Sequence, residues 1–310
     1  MHIRIATRRS PLALWQAEHV AALLQKLDNS VTTELVKIVT KGDKILDVPL
    51  AKIGGKGLFT KEIDAALADG RANIAVHSMK DVPTELPAGM SLVAIPERED
   101  PHDMVATLNG VGLAALPVGA KVGSSSLRRI CQIKQHFPHL CCVSIRGSVQ
   151  TRLEKLGSEV DAVILAAAGI KRLGLADRMD GIIPMNQMLP AVAQGTLGIQ
   201  SCDDQTELNA LVARLNHPDS VDRTRAERAF LARLEGGCQV PIAAFAVLDG
   251  EQLTLQGLVG EEDGSRLITD TIQGNRSQAE HLGTALADTI LEAGGREILA
   301  RVYAKERTNA

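Results

Sequence analysis

Short apolar runs followed by helix-length amphipathic segments recur in two successive stretches of this chain, and most runs end in glycine, hydroxyl or cationic residues. Such alternation predicts an α/β architecture, with mainly parallel sheets covered by helices on both faces. In the first stretch Ile3 to Ala6 reads as a strand leading into Thr7-Arg8-Arg9-Ser10-Pro11. Ser10 is a natural N-cap and Pro11 a natural first helical residue. Leu12, Trp15, Val20, Leu23, Leu24 and Leu27 then share one helix face, with Gln16 in its middle. A glutamine there needs a partner, and spacing favours a nearby backbone group over a ligand contact. Further strands are expected at Leu35 to Val39, Asn73 to Val76 and Leu92 to Ile95, and Gly54-Gly55-Lys56-Gly57 opens a helix with Phe59, Ile63 and Leu67 inward.

The alternation restarts near residue 101. Lys121-Val122 precedes Gly123-Ser124-Ser125-Ser126, Leu140 to Ile145 precedes Arg146-Gly147-Ser148, and Ala162 to Ala166 precedes a helix with Lys171 and Arg172. In open α/β sheets the carboxyl ends of strands and the following helix N-termini face the ligand. Arg128, Arg129, Arg146, Arg152 and Arg172 all fall at such junctions. Arginine grips carboxylates and phosphates through paired hydrogen bonds, so a polyanionic ligand is expected.

After Pro218 the pattern changes. A helix is expected from Val221 to Leu234, then three antiparallel strands at Val240–Leu248, Leu253–Val259 and Leu267–Ile272, with hairpin signals at Asp249-Gly250 and Asp263-Gly264. A final helix from Gln278 to Ala293 is expected to end at Gly294-Gly295. With 310 residues, three domains are expected: 1–97 with 193–216 as a discontinuous α/β lobe, 98–192 as a second lobe, and 217–310 as a small α+β domain.

Composition removes several function classes. A net charge of −3 and 2% aromatic content give neither the basic surface nor the stacking platform of a nucleic-acid binder. The five cysteines form no CxxC pair, which argues against a zinc site or a disulfide framework. No apolar window is long enough to span a membrane and the N-terminus lacks a secretory pattern, so a cytoplasmic protein is expected. The Gly-Gly-Lys-Gly run lacks the Lys-Ser or Lys-Thr of a phosphate loop and reads as a flap or a tight turn. Asp81, after Lys80 at the end of an apolar strand, suits general acid–base or cation-stabilising work, or a cap on the turn before Val82-Pro83. Cys238, in Gly236-Gly237-Cys238-Gln239-Val240-Pro241, is either an exposed loop thiol or buried filler; Cys141 and Cys142 are expected inside a strand.

Taken in order, several runs resemble the hydroxymethylbilane synthase, or porphobilinogen deaminase, family over nearly the whole chain. They are Arg4 to Arg8 with Ser10 to Gln16, Gly54 to Phe59, His77 to Pro83, Gly123 to Arg129, Arg146-Gly147 with Thr151-Arg152-Leu153, and Glu227-Arg228 continuing to Gly236 through Pro241. The resemblance implies two lobes like those of a periplasmic binding protein, hinged about a cleft, plus a small domain whose cysteine loop faces that cleft. It implies a monomeric transferase that condenses four porphobilinogen molecules head to tail, with loss of ammonia, on a dipyrromethane cofactor bound by thioether to Cys238, and then releases hydroxymethylbilane by hydrolysis. It further implies that Asp81 is catalytic. Lys80, Ser124, Ser126, Arg128 and Arg129 would hold the cofactor, Arg8, Ser10, Arg146, Arg152 and Arg172 the incoming ring, and Lys56 and Phe59 would lie on a mobile loop. No metal is implied.

Some positions depart from the family pattern: Ser148 stands where Asn is usual, His102 and Met104 where Arg and Ala are usual, and Ser124 replaces Thr. Ser124 keeps the hydroxyl, and Ser148 keeps an N-cap while losing an amide. A non-catalytic binding protein for a small carboxylate would also use converging cations, but it has no use for Cys238. A third reading, the ligand-sensing part of a transcription regulator, lacks an N-terminal helix-turn-helix segment, since the sequence opens with a strand.

Overall fold

The computed structural model describes residues 1–44, 57–236 and 240–308. These form two compact units, one of 1–44, 57–99 and 195–221, the other of 100–194 with the described residues from 222 onward.

Strands are numbered along the chain. The first unit holds a five-stranded sheet of β1 (His2–Arg8), β2 (Thr32–Ile38), β3 (Ile74–Ser78), β4 (Met90–Ala94) and β10 (Leu197–Cys202), in the order β2-β1-β3-β10-β4. Period-two alternation sends Ile3, Ile5, Ile74 and Val76 to one face, where they pack with Val20 and Leu24 of helix Pro11–Leu27 and Val212 of helix Thr206–Ala213. Ala6 and Ala75 point to the other face, against Ile63 and Leu67 of helix Lys61–Ala68. As expected, Ser10 caps the first helix, its Oγ accepting from the Ala13 N–H at 3.3 Å, and Pro11 fills its first turn.

A second five-stranded sheet, in the order β7-β6-β8-β5-β9, comprises β5 (Asp103–Thr107), β6 (Lys121–Gly123), β7 (Cys141–Val143), β8 (Ala162–Ala166) and β9 (Gly181–Ile183). Val122, Ile164 and Val105 pack with Ile133 and Phe137 on one face, and Val163, Leu165 and Ala106 with Leu153 and Ile170 on the other. The expectation of mainly parallel sheets needs one correction. β10 runs antiparallel to β3 and β4, and β5 antiparallel to β8 and β9. Each is the first strand after the chain crosses from one unit to the other, so its partners are remote in sequence and local alternation carries no trace of its direction. The strand expected at Leu140 to Ile145 is also shorter, an edge strand of three residues with Cys141 exposed.

The third sheet is an antiparallel meander of β11 (Ile242–Asp249), β12 (Gln252–Gly260) and β13 (Leu267–Asn275). Phe230 of helix Pro218–Arg233 is fully buried against Gly257, where a Cβ would come within 2.6 Å of its ring. Cys131 of helix Leu127–His136 packs with Ala243 and Leu258, which joins this sheet to the second unit's core. The helix expected to end the fold spans Ala279–Ile290, and Gly294 turns the chain at φ 109° into a further helix, Arg296–Thr308, that sequence reading missed.

Candidate active site

In the first unit the segment after β3 is built to hold a carboxylate still. The Met79 N–H donates to Thr196 O at 3.0 Å and the Val82 N–H to Met79 O at 3.1 Å, closing a single 3-10 turn over Met79–Asp81. Met79 is buried against Gly198, where any Cβ would collide with its sulfur. Asp81 is thereby held, half-buried, beside a cavity of about 30 Å³ that Arg8, Gln16, Phe59, His77 and Ser78 also line. Its carboxylate has no hydrogen-bond or ion-pair partner among the described residues. Lys80, next to it, is half-buried.

The other lining groups are already engaged. Gln16, 3% exposed, donates through Nε2 to Ser78 Oγ at 2.8 Å, so its partner is a side chain of the Asp81 segment rather than the expected backbone group. His77 Nε2 lies 2.8 Å from Gln200 Oε1, whose amide nitrogen donates to Asp64 Oδ1 at 2.9 Å. This chain makes Nε2 the protonated nitrogen, and burial pushes the His77 imidazole below its ordinary pKa, keeping it neutral. Arg8 Nε donates to Asp43 Oδ1 at 3.0 Å, Nη2 reaches the same oxygen, and the guanidinium carbon lies 4.2 Å from the centre of the Phe59 ring. Partial burial alone would raise the pKa of Asp43, but the hydrogen bond and charge of Arg8 and the bonds from Thr40 hold it below the usual carboxylate value.

The second unit contains a buried cationic pair. Arg128 and Arg129 open helix Leu127–His136 and are 4% and 5% exposed. Arg128 Nη1 lies 2.8 Å from Asp103 Oδ2 and donates to Leu189 O, while Arg129 Nη2 lies 2.7 Å from Asp103 Oδ1 and its Nη1 donates to Ile164 O. Burial would drive the Asp103 pKa up; the two guanidiniums reverse this and hold it far below the usual carboxylate range. Gln194 completes the network, donating to Asp103 Oδ1 at 3.0 Å and to Pro101 O at 2.7 Å. Ser124 is buried, with its Oγ accepting the Ser126 N–H at 3.2 Å, and Ser126 is half-buried at the N-cap position.

The remaining candidates are half-buried. Arg152 Nε donates to Gly147 O at 3.0 Å across the turn that carries Arg146, and Arg172 ends helix Ala167–Arg172. Ser148 caps the helix after Arg146, accepting from the Thr151 N–H at 3.1 Å, so the hydroxyl does serve as the N-cap. His102 Nδ1 is paired with Asp100 at 2.6 Å, and Asp100 also takes Lys171 at 2.9 Å. Lys56 and Cys238 lie outside the described residues.

Residues 3–210 match the family model "Porphobilinogen deaminase, dipyromethane cofactor binding domain" and residues 221–292 match "Porphobilinogen deaminase, C-terminal domain". The chain belongs to the porphobilinogen deaminase family. It is therefore a transferase of tetrapyrrole synthesis that uses a dipyrromethane cofactor. A porphobilinogen deaminase of Geobacter metallireducens is 54% identical over 305 residues, covering 98% of this chain and 96% of the relative. Among solved structures, the methionine binding protein MetQ is similar over 69% of this chain and 89% of its own, with 11% identity and a TM-score of 0.43. The VFT2 domain of Bordetella pertussis BvgS is similar over 69% and 86%, with 15% identity and a TM-score of 0.40.

The residues present suit a porphobilinogen deaminase cofactor, whose pyrroles carry acetate and propionate groups. The Nε–H groups of Arg128 and Arg129 are buried with no hydrogen-bond partner among the described residues. An unmet buried donor costs about 1–3 kcal/mol, which an incoming carboxylate would offset. Asp81 offers the opposite chemistry, a half-buried hydrogen-bond acceptor. Sequence reading missed Asp43, the acceptor bonded to Arg8, and Asp103 and Gln194, the acceptor and the amide bonded within the Arg128–Arg129 network. Among the described residues no cluster of His, Cys, Asp and Glu could hold a metal ion, and no helix is long and apolar enough to cross a membrane.

Proposed function

We propose that Asp81 is the catalytic carboxylate and that Cys238 carries the dipyrromethane on which porphobilinogen units are joined head to tail. The observation that carries this reading is the half-buried Asp81 carboxylate on its 3-10 turn, lining a cavity and without a hydrogen-bond or ion-pair partner among the described residues. At each condensation the substrate's aminomethyl C–N bond breaks, its electron pair leaves with the protonated nitrogen as ammonia, and positive charge spreads over the ring. Asp81 accepts the pyrrole N–H and stabilises that charge; a preorganised charge in a partly dry site is worth far more than one in water. The methylene so freed would bond to the terminal ring of the bound chain, and that ring carbon's proton would pass to solvent. The cofactor, when bound, supplies the nucleophilic pyrrole end that primes growth, and after four additions hydrolysis releases hydroxymethylbilane.

On this reading Lys80, Ser124, Ser126, Arg128 and Arg129 hold cofactor carboxylates. Arg8, Ser10, Arg146, Arg152 and Arg172 hold those of the incoming ring, and Lys56 and Phe59 act in gating or chain accommodation. Ser10 also remains the helix cap. We read the chain as three domains, 1–97 with 193–216, 98–192 and 217–310, and as a cytoplasmic monomer that binds no nucleic acid, in keeping with its net charge of −3. The test is Asp81→Ala in cofactor-loaded protein. It should still bind porphobilinogen while turnover falls by about a hundredfold or more, and near-normal turnover would remove Asp81 from the mechanism.

A further inference from the structure

The assignment of Arg8 to a substrate carboxylate leaves open how so long a side chain offers one geometry. Arg8 is gripped from two directions. Asp43 Oδ1 takes Nε–H at 3.0 Å and one proton of Nη2, using the side edge of the guanidinium. Asp43 is itself fixed by the Thr40 N–H at 3.1 Å and the Thr40 hydroxyl at 2.8 Å. Phe59 covers a face of the same group at 4.2 Å. The Phe59 ring in turn lies so close to Gly42 that a Cβ there would collide with it, and the Gly42 N–H donates to Leu58 O at 3.1 Å. The two chain segments that hold Arg8 are thus bonded to each other.

A guanidinium has two edges that accept a carboxylate in parallel, the side edge of Nε and Nη2 and the end edge of Nη1 and Nη2. Asp43 occupies the first, and the protons of the second are not used by it. From this we propose that Asp43 is a positioning residue of the known reaction: with Phe59 it locks Arg8 so that only the end edge is presented to the carboxylate of an incoming porphobilinogen. This rests on the reading of Arg8 as a substrate ligand and deepens it. The device serves affinity through preorganisation, because the rotamers of a long side chain are restricted before substrate arrives rather than on binding. It also sets specificity, since a carboxylate must approach in the guanidinium plane from the end.

The distinction from a competing anion is testable, because Asp43 could otherwise act as a rival for Arg8 that substrate must displace. Cofactor-loaded Asp43→Ala and Asp43→Asn are compared with the parent by intact mass, thermal unfolding and steady-state kinetics on porphobilinogen. Removing the lock should raise KM roughly two- to tenfold, the range expected for one immobilised side chain, with kcat and melting temperature nearly unchanged. Asp43→Asn, which keeps an acceptor for Nε–H, should fall between. On an Arg8→Lys background, which raises KM by itself, Asp43→Ala should add nothing further. An unchanged KM, a lowered KM, or a joint fall of kcat, loading and melting temperature would each overturn the proposal. If Arg8→Lys alone left KM unchanged, the substrate role of Arg8 would fail as well, and the proposal with it.

Discussion

Gln16 Nε2 donates to Ser78 Oγ at 2.8 Å, tying the first helix to the residue that precedes Met79, Lys80 and Asp81. Both groups lie on the wall of the cavity that Asp81 lines. Gln16→Leu keeps the volume and removes the donor. It should cost about 1 kcal/mol in urea unfolding, while kcat/KM falls several-fold because the Asp81 turn loses a support. Stability lost with kcat/KM intact would make the bond purely structural.

Asp103 is the counter-ion of two buried arginines, so Asp103→Asn should destabilise the protein by about 3–5 kcal/mol, the usual cost of leaving buried charge uncompensated. The pH dependence follows from the lowered pKa. The folded protein holds its proton less tightly than the unfolded chain, so the contribution of Asp103 is complete above the unfolded carboxylate value of about 3.9 and fades as pH falls below it. The gap between parent and variant, read from urea unfolding, should stay constant from about pH 7 to 5 and narrow below about pH 4. A gap that narrowed between pH 7 and 5 would contradict this.

Thiol reactivity should rank by environment. Burial pushes the Cys131 thiol up to about 12 and Cys142 to about 11, whereas Cys141 is exposed on an edge strand. Thiolate is the reactive form, so at pH 8 an alkylating reagent should label Cys141 first and Cys131 only on unfolding. Peptide mapping of partly labelled native protein checks the order, and early labelling of Cys131 would refute it.

Gly147 sits at φ 118°, and a Cβ there would lie 2.7 Å from Thr151 Cγ2. Gly147→Ala should therefore cost about 1–3 kcal/mol and shift the turn between Arg146 and Arg152, raising KM for porphobilinogen. An unchanged melting temperature would show that the turn tolerates a side chain.

What the sequence disclosed follows from range of interaction. Ser10-Pro11 as a helix start and Asp249-Gly250 as a hairpin turn are local signals, and both stand, with Gly250 at φ 57°. The antiparallel β5 and β10 were invisible because their partners lie beyond any local window. Gly294-Gly295 carries a genuine stop signal, yet Ile298, Leu299 and Val302 are buried in the helix that follows the turn. The arginines drew notice as cations, while Asp43 and Asp103 drew none, since pairing is a property of the fold. Asp81 stood out through its place at a strand end, whereas its lack of a hydrogen-bond or ion-pair partner among the described residues is a property of the fold.

Whether Cys238 carries a covalent primer is decided by the intact mass of the purified protein beside Cys238→Ala. The parent alone should show a mass excess equal to two linked pyrrole units, regained when unloaded parent is incubated with porphobilinogen. An unmodified parent that gains no mass on incubation, or a Cys238→Ala protein that carries the same excess, would contradict it.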